Sequence, residues 1–388
     1  MPQHSTKDPI RILTAVPICD GHDSAINTVN LEFVRNGIEV TYLGYHRPVR
    51  DVVRAAIQEN VRAVGISSYN GGHVEYFAEV VESLKAKGAG DIAVFGGGGG
   101  TISSADVKEM ERRGVEKIFP AGTPLTALVD YVKTHYSRKR KGRPSPKPGT
   151  DRYLAKLVSG EIRAENSTRD DRVPLTIGIT GPGGAGKTTL IDELVLRVLK
   201  SNDKARVAVL SHDPSIVSSG ALLGDRAAMI WSQHDRVFMH SLATRGREGG
   251  LSPRTEGALR ALRGQNFDVI FIETVGTGQE ATPFKHGLVD KSVFVMSPEY
   301  GSRLQLQKIA MLDLANFVVI NKSDLAGAKT AASEVEQRLT ANHSDQQVIA
   351  TVSKHHRDAG VDRLFEMLTE QSSHEATKVT KKKKKLKV

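Results

Sequence analysis

Short apolar runs and amphipathic segments alternate along residues 10–136 of this chain of 388 residues. In the amphipathic segments apolar positions recur every three or four residues, as at Ile26, Val29 and Phe33, which predicts helices with one buried face. The predicted strands are Ile10–Val16, Glu39–Leu43, Ala63–Ser67, Asp91–Phe95 and Lys117–Phe119, and the predicted helices are Ser24–Asn36, Val49–Glu59, Val74–Lys87, Ala105–Arg113 and Thr123–Tyr136. This alternation predicts an α/β domain with a parallel, doubly wound sheet of flavodoxin-like size.

A second α/β pattern begins at Pro174. A predicted strand, Leu175–Thr180, leads through a glycine-rich loop into a predicted helix, Thr188–Lys200. Further buried strands are predicted at Arg206–Leu210, Val269–Ile272, Ser292–Met296 and Phe317–Ile320. We therefore predict a first domain over residues 1–136 and a second over residues 173–370.

The formal net charge of +10 is concentrated outside these two domains. Six basic residues lie between Arg138 and Lys147 and seven lie between Lys378 and Lys387, with no acid in either stretch. The other 41 basic residues face 44 acidic ones, so the domains are close to neutral and we expect no nucleic-acid binding. Residues 137–172 predict a basic, proline-containing linker with one amphipathic helix, Asp151–Arg163, and residues 371–388 predict a disordered lysine-rich tail. A targeting signal or a nucleic-acid contact is the alternative for that tail.

Several classes of protein are disfavoured by composition. The single cysteine, Cys19, excludes an intrachain disulfide and a cysteine-cluster metal site. Residues 1–9 are polar and lack the apolar core of a secretory signal, and no run of about 18 apolar residues predicts a membrane span. We expect a cytoplasmic protein.

The loop after Thr180 fits the phosphate-binding pattern G-x-x-x-x-G-K-[ST] between a strand and a helix. Its glycines let backbone N–H groups turn toward phosphate oxygens at the start of a helix. Lys187 supplies a cation for the β- and γ-phosphates, and the Thr188 hydroxyl can bind Mg²⁺. The predicted phosphate-binding residues are Gly181, Gly183, Gly184, Ala185, Gly186, Lys187, Thr188 and Thr189.

Polar residues also follow later strands of the second domain. Asp213 and Glu273 end two of them and could reach a metal ion near the loop, although each alone would equally fit a solvated strand end. Asn321, Lys322 and Asp324 give the spacing N-K-x-D after another strand. The Asp324 carboxylate can accept from guanine N1–H and the 2-amino group together, a donor pair that adenine lacks. Asn321 can contact the base or brace the phosphate-binding loop.

Asp20 and His22 lie in the loop after the first strand, where doubly wound sheets bind ligands. Asp20 could accept one ring N–H of His22 and so make the other nitrogen a better metal ligand. Taken alone, the pair fits a solvated loop better than a metal site. Ser67 and the glycines Gly96 and Gly97 follow later strands, however, and leave an opening for an extended group.

With these motifs, residues 10–136 resemble the cobalamin-binding domain of acyl-CoA mutases, whose pattern is D-x-H-x-x-G, S-x-L and G-G. Asp20, His22, Ser67, Gly96 and Gly97 match it, whereas Ala25 replaces the motif glycine and Tyr69 the leucine. Residues 173 to about 370 resemble the GTPase chaperones of these mutases. The matching segments there are Gly181–Thr189, Asp213–Ser215, Gly220–Arg226, Glu273–Gln279 and Asn321–Asp324. The domain order resembles the N-terminal part of the fused isobutyryl-CoA mutase family.

The resemblance implies adenosylcobalamin with His22 as the lower cobalt ligand and Asp20 behind it. It also implies GTP hydrolysis, with Lys187 and Glu273 as catalytic residues and Thr188, Asp213, Asp225 and Glu273 around Mg²⁺. GTP turnover would gate loading or protection of the cofactor. A separate, large acyl-CoA-binding mutase subunit would be needed for isomerisation, and we expect a homo-oligomer.

Two other functions are compatible with parts of this pattern. A cobalamin-responsive GTPase switch would need no mutase partner. A P-loop kinase would use ATP, which Asp324 disfavours.

Overall fold

The computed structural model describes residues 9–137, 145–164, 173–215, 219–276, 282–284, 287–300, 310–342 and 346–370. Most of the basic stretch of the linker, residues 138–144, and the lysine-rich tail, residues 371–388, lie outside the described residues. Two sheets organise the described part of the chain. None of the helices described there is both long and apolar enough to cross a lipid bilayer.

Parallel strands form the first sheet, and helices cover both of its faces. The strands are β1 (Arg11–Ala15), β2 (Glu39–Tyr42), β3 (Ala63–Ser67), β4 (Ala93–Gly97), β5 (Lys117–Phe119) and β8 (Ala221–Leu223). The helices are α1 (Ser24–Arg35), α2 (Val49–Gln58), α3 (His73–Ala86), α4 (Ser104–Arg112) and α5 (Leu125–Tyr136). Neighbouring residues of one strand enter opposite cores, Leu13 on one face and Ile12 on the other, which explains the nearly continuous apolar runs.

The strand order is β5-β4-β3-β1-β2-β8. The first five strands have the flavodoxin-like order expected for a doubly wound sheet. The five strands predicted within residues 10–136 are all present, and the sheet gains a sixth because β8 comes from beyond the linker. It pairs in parallel with β2, with Glu39 opposite Ala221.

The second sheet has seven parallel strands in the order β13-β12-β11-β6-β10-β7-β9. Its strands are β6 (Leu175–Thr180), β7 (Val207–Asp213), β9 (Val237–Ala243), β10 (Val269–Glu273), β11 (Lys291–Met296), β12 (Phe317–Ile320) and β13 (Gln347–Ala350). The helices of this half are α6 (Asp151–Val158), α7 (Lys187–Ser201), α8 (Asp225–Ala228), α9 (Thr255–Arg263), α10 (Ala310–Leu314), α11 (Ala328–Ala341) and a last helix over residues 359–370.

Strands β8, β9 and β13 were not predicted, and one predicted helix is shorter in the structure. β9 could not be predicted because His240 and Ser241 interrupt its apolar pattern. β13 could not be predicted because it is short and partly exposed. The helix predicted over Asp151–Arg163 ends at Val158, since Gly160 has a φ of 70° and breaks the helical backbone.

Candidate functional sites

A cavity of about 400 Å³ opens at the carboxyl ends of strands β1, β3, β4 and β5. Ser67, Gly96 and Gly97 line it together with apolar side chains such as Phe95 and Phe119. Side chains would not fit on these glycines, because a Cβ on Gly97 would lie 2.5 Å from the Phe119 carbonyl oxygen and one on Gly96 would lie 2.2 Å from that of Ile66. The glycines therefore allow close packing of strands around an apolar, ligand-sized space.

His22 lies at the rim of this cavity and is held by Asp20. The His22 Nδ1 atom is 2.8 Å from Asp20 Oδ1, which also accepts the His22 backbone N–H at 3.0 Å. The Asp20 side chain is fully buried, whereas the His22 side chain is 62% exposed. An ionised Asp20 that accepts from Nδ1–H leaves Nε2 of a neutral His22 ring as the free ligand nitrogen.

Backbone groups of a distant loop keep Asp20 ionised. Its Oδ2 atom accepts the N–H of Tyr69 and, at 3.2 Å, that of Asn70. Burial alone would raise the pKa of Asp20, but the hydrogen bonds from Tyr69, His22 and Asn70 outweigh it and lower this pKa. Sequence reasoning missed these two donors because backbone N–H groups carry no residue signature.

Tyr69 occupies the position of the motif leucine and contacts His22. The two ring centroids are 4.9 Å apart, and Tyr69 is half exposed. Its ring also lies against Gly99, where a Cβ would be 2.2 Å from the Tyr69 ring. The departure from the family pattern thus places an aromatic ring beside the predicted cobalt ligand.

The phosphate-binding loop joins β6 to α7 at the centre of the second sheet. Gly181 packs against β11 so closely that a Cβ would lie 1.9 Å from the Val295 carbonyl oxygen. The buried Lys187 Nζ donates to the carbonyls of Gly181 at 3.1 Å and Pro182 at 3.2 Å. Burial lowers the pKa of Lys187, against the attraction of the Glu273 and Asp225 charges. The remaining loop residues of the prediction, Gly183, Gly184, Ala185, Gly186, Thr188 and Thr189, lie in this turn or in the first turn of α7.

The four predicted magnesium ligands lie around this loop. Thr188 Oγ1 donates to Glu273 Oε1 at 2.7 Å, Ser211 donates to Asp225 Oδ2, and Asp213 Oδ1 accepts the Gly224 N–H at 3.4 Å. The second oxygens, Asp213 Oδ2 and Glu273 Oε2, are buried without a hydrogen-bond partner among the described residues.

Burial and mutual repulsion raise the pKa values of two of these carboxylates. Burial and the neighbouring Asp225 raise the pKa of Glu273 to about 8, and the same two causes raise the pKa of Asp213. A cation would relieve this repulsion, so the donor set fits Mg²⁺. Within the described part of the chain, no three His, Cys, Asp or Glu side chains form a complete metal site. Mg²⁺ commonly takes only one or two carboxylates and completes its shell with phosphate oxygens and waters.

Asn321 braces the phosphate-binding loop, which is one of the two roles predicted for it. Its Nδ2 donates to the Ala185 carbonyl at 2.8 Å. Its Oδ1 accepts from the hydroxyls of Thr351 at 3.1 Å and Ser353 at 2.8 Å. The strand ends carrying Asn321 and Ser353 are therefore coupled directly to the loop.

Asp324 lies exposed beside this network and is paired with Lys354. The hydrogen bond from Lys354 lowers the pKa of Asp324. Lys322 has a φ of 58°, which turns the chain between Asn321 and Asp324. Sequence reasoning missed Ser353 and Lys354, because they meet Asn321 and Asp324 only after another helix and strand have been crossed.

The structure therefore collects the predicted residues at two places, one on each sheet. Thr277, Gly278 and Gln279, which belong to a matching segment, lie outside the described residues. Gly276 is described and packs on the phosphate-binding loop, since a Cβ there would lie 2.7 Å from Gly183 Cα.

Two family models match the chain. Residues 164–388 match the methylmalonyl-CoA mutase-associated GTPase MeaB, and residues 10–129 match the B12 binding domain. The two matches coincide with the two sheets, apart from β8.

Two curated relatives match almost the whole of this chain, and a third matches about half of it. The fused isobutyryl-CoA mutase of Cupriavidus metallidurans is 38% identical over 402 residues, covering 95% of this chain and 36% of that protein. The fused isobutyryl-CoA mutase of Geobacillus kaustophilus is 35% identical, covering 94% of this chain and 36% of that protein. The mitochondrial methylmalonic aciduria type A homolog of Mus musculus is 31% identical over 56% of this chain and 52% of its own length. The chain thus spans about a third of the length of the two fused mutases.

Proposed function

From the premise that this chain belongs to the MeaB family of methylmalonyl-CoA mutase-associated GTPases, here joined to a B12-binding domain, we propose that it binds adenosylcobalamin and hydrolyses GTP with Mg²⁺. GTP turnover gates loading or protection of the cofactor in an acyl-CoA mutase. The observation that carries the GTPase part is the loop in which Lys187 and Thr188 face the buried carboxylates of Glu273 and Asp225.

The side chains of this loop are arranged to exchange internal partners for phosphate. Among the described residues, Lys187 Nζ donates hydrogen bonds to the carbonyls of Gly181 and Pro182, and β- and γ-phosphate oxygens would offer it better, charged acceptors. Thr188, with Glu273, Asp213 and Asp225, would hold Mg²⁺, which neutralises charge on the transferred phosphoryl group. A bound cation would favour the ionised form of Glu273, because its charge would oppose the effects of burial and of Asp225 that raise the pKa of this residue.

The Asp324 carboxylate is proposed to select guanine. Its exposed position and its exchangeable partner Lys354 leave it able to accept from the guanine N1–H and 2-amino groups. Lys322 and Lys354 flank that position and can cover the base. Adenine offers no such donor pair, so ATP would give the carboxylate no hydrogen-bond partner on the base.

The first domain is proposed to hold cobalamin through His22. Its Nε2 atom would ligate cobalt, and the adjacent cavity of about 400 Å³ fits the displaced lower-base tail of the cofactor. Adenosylcobalamin supplies a weak cobalt–carbon bond for radical isomerisation. Asp20 keeps the His22 ring oriented, and the glycine-lined walls would exclude water from a bound tail.

Isomerisation is proposed to require an acyl-CoA-binding mutase subunit as partner, in keeping with the mutases that the relatives are named for. We further propose a homo-oligomer that works in the cytoplasm.

Nucleotide turnover by the purified chain tests the proposal. We expect GDP release from GTP, measured by chromatography, to exceed ADP release from ATP and to stop when Mg²⁺ is chelated. Lys187→Ala should abolish turnover. Asp324→Asn should reduce the preference for GTP by about tenfold, as expected for one lost hydrogen bond to a charged acceptor.

Asp203→Asn, which changes an exposed aspartate in the turn between α7 and β7, is the matched control and should keep the preference. Equal turnover of GTP and ATP by the unmodified chain would rule out the guanine assignment.

A further inference from the structure

The carboxylate of Glu59 is buried at the boundary between the two domains. Glu59 follows α2 in the cobalamin-binding domain. Arg11 of the same domain forms an ion pair with its carboxylate at 3.6 Å, but the hydrogen bonds to that carboxylate come from the GTPase domain. Its Oε1 accepts from Arg226 Nη1 at 3.1 Å and from the Ser241 hydroxyl at 3.1 Å, and its Oε2 accepts the Ser241 N–H at 2.9 Å. The side chains of Glu59 and Arg226 are both 0% exposed. Either charge alone would be strongly unfavourable there, so the pair fixes both side chains.

The guanidinium of Arg226 is held from both domains. Its Nη1 also donates to the Met239 carbonyl at 3.0 Å, and its Nη2 donates to the side-chain carbonyl of Gln58. Gln58 in turn donates to the Val237 carbonyl at 2.9 Å. The end of α2 therefore forms the part of the Arg226 site that the GTPase domain does not supply.

Arg226 directly follows Asp225, and the first domain holds the chain on both sides of this pair. Before it, β8 pairs with β2 and the Gly220 N–H donates to the Val34 carbonyl at 2.8 Å. After it, Arg47 Nη2 donates to the Ala227 carbonyl at 2.9 Å. Asp225 itself points into the nucleotide site, where Ser211 donates to it and its charge acts on Lys187.

We propose that Glu59 of the cobalamin-binding domain is a positioning residue for the nucleotide site of the GTPase domain, acting through Arg226 on the magnesium-facing carboxylate of Asp225. The inference rests on the proposed GTPase function. Through this role of Glu59, the proposed metal ligands of the GTPase domain depend on a side chain of the cobalamin-binding domain. A displacement of α2 is therefore transmitted to Asp225.

The test is the Mg²⁺ dependence of binding of the fluorescent nucleotide mant-GDP to the whole chain. In Glu59→Gln the Arg226 charge loses its partner while the shape is kept. The Mg²⁺ concentration for half-maximal tightening of mant-GDP binding should rise about 10-fold to 100-fold, as for other groups that orient metal ligands. Nucleotide affinity without Mg²⁺ should stay within about twofold, because the phosphate loop is untouched.

Glu39→Gln is the matched control. Glu39 is likewise buried and pairs with Arg245 across the same boundary at 3.0 Å and with Arg11 of its own domain at 2.8 Å. Neither partner adjoins a proposed metal ligand. This variant should lose thermal stability as Glu59→Gln does and keep the Mg²⁺ dependence of the unmodified chain. Thermal unfolding midpoints of both variants separate loss of stability from loss of positioning.

A double variant, Glu59→Gln with Arg226→Gln, covers the case in which the single variant fails to fold, since it removes both buried charges together. It should show the same rise in the Mg²⁺ requirement. An unchanged Mg²⁺ requirement in Glu59→Gln, or in the double variant where the single one does not fold, overturns the proposal, as does an equal rise in Glu39→Gln. GTP hydrolysis is assayed in parallel. If the unmodified chain binds mant-GDP with Mg²⁺ but does not hydrolyse GTP, the proposed function is contradicted. The Mg²⁺ dependence of mant-GDP binding then still decides whether Glu59 is a positioning residue.

Discussion

Asp192 connects the helix after the phosphate-binding loop to the segment that follows Asp225. It lies on α7, and its two oxygens accept the N–H groups of Ile230 at 3.0 Å and Trp231 at 2.8 Å. Burial raises the pKa of Asp192 to about 6, although the two N–H groups act in the opposite direction. This carboxyl group, which lies between the nucleotide loop and the domain boundary, should therefore change its protonation state near pH 6.

This raised pKa predicts a pH dependence of stability. Between pH 3.8 and about 6 the folded chain keeps a proton on Asp192 that the unfolded chain loses, so the free energy of unfolding falls as pH rises through this range. The loss amounts to about 3 kcal/mol and ends above the folded pKa. Asp192→Asn should remove this slope. Urea unfolding of both proteins from pH 4 to pH 7 measures it, and parallel profiles would show that Asp192 does not titrate in this way.

The residues that sequence patterns predicted are those whose partners lie nearby in the chain. Asp20 and His22 are two positions apart, so their hydrogen bond could be expected from the loop alone. Lys354 could not, because it meets Asp324 only after another helix and strand have been crossed. The role of Glu59 was equally hidden, because an acid at the end of an amphipathic helix normally predicts a solvated side chain.

At the scale of single elements, β8 shows how three residues can join two domains. The residue before β8, Gly220, packs closely against the first domain, since a Cβ there would lie 1.9 Å from the Ile38 carbonyl oxygen. Gly220→Ala should therefore push β8 away from β2 and lower the free energy of unfolding by about 1–3 kcal/mol, the usual cost of overpacking.

Gly257→Ala is the control for this substitution. Gly257 is exposed on α9 with open space around its Cβ position, so alanine there should leave stability unchanged or raise it by up to about 1 kcal/mol. Urea unfolding measures both variants. Equal effects at the two positions would mean that the Gly220 contact does not constrain β8.

Strands could be predicted from the sequence where residues of their own domain bury them. Strands β1, β3, β6 and β12 have continuous apolar runs because helices cover both faces of their sheets. β9 lacked that pattern, since its polar His240 and Ser241 are buried against Gln58 and Glu59 of the other domain. β8 is too short to give any periodic signal.

For the whole molecule, two parallel sheets carry two separate sites and are joined through α2 and β8. The two-domain α/β class could be predicted because alternating apolar and amphipathic segments suffice for it. The joint could not, since Glu59 and Arg226 are 167 positions apart in the chain. Polar residues buried between domains give no periodic pattern, and only the folded chain brings them together.

The central claim is that this chain takes up cobalamin through His22 in a domain attached to a GTPase. The most direct test is the electron spin resonance spectrum of cob(II)alamin bound to protein in which histidine alone carries nitrogen-15. We predict hyperfine splitting from one nitrogen-15 nucleus, lost in His22→Ala and kept in His46→Ala, whose imidazole lies beside Gly21 in the same region. Splitting from nitrogen-14 of the cofactor's own base in the unmodified protein would contradict the account.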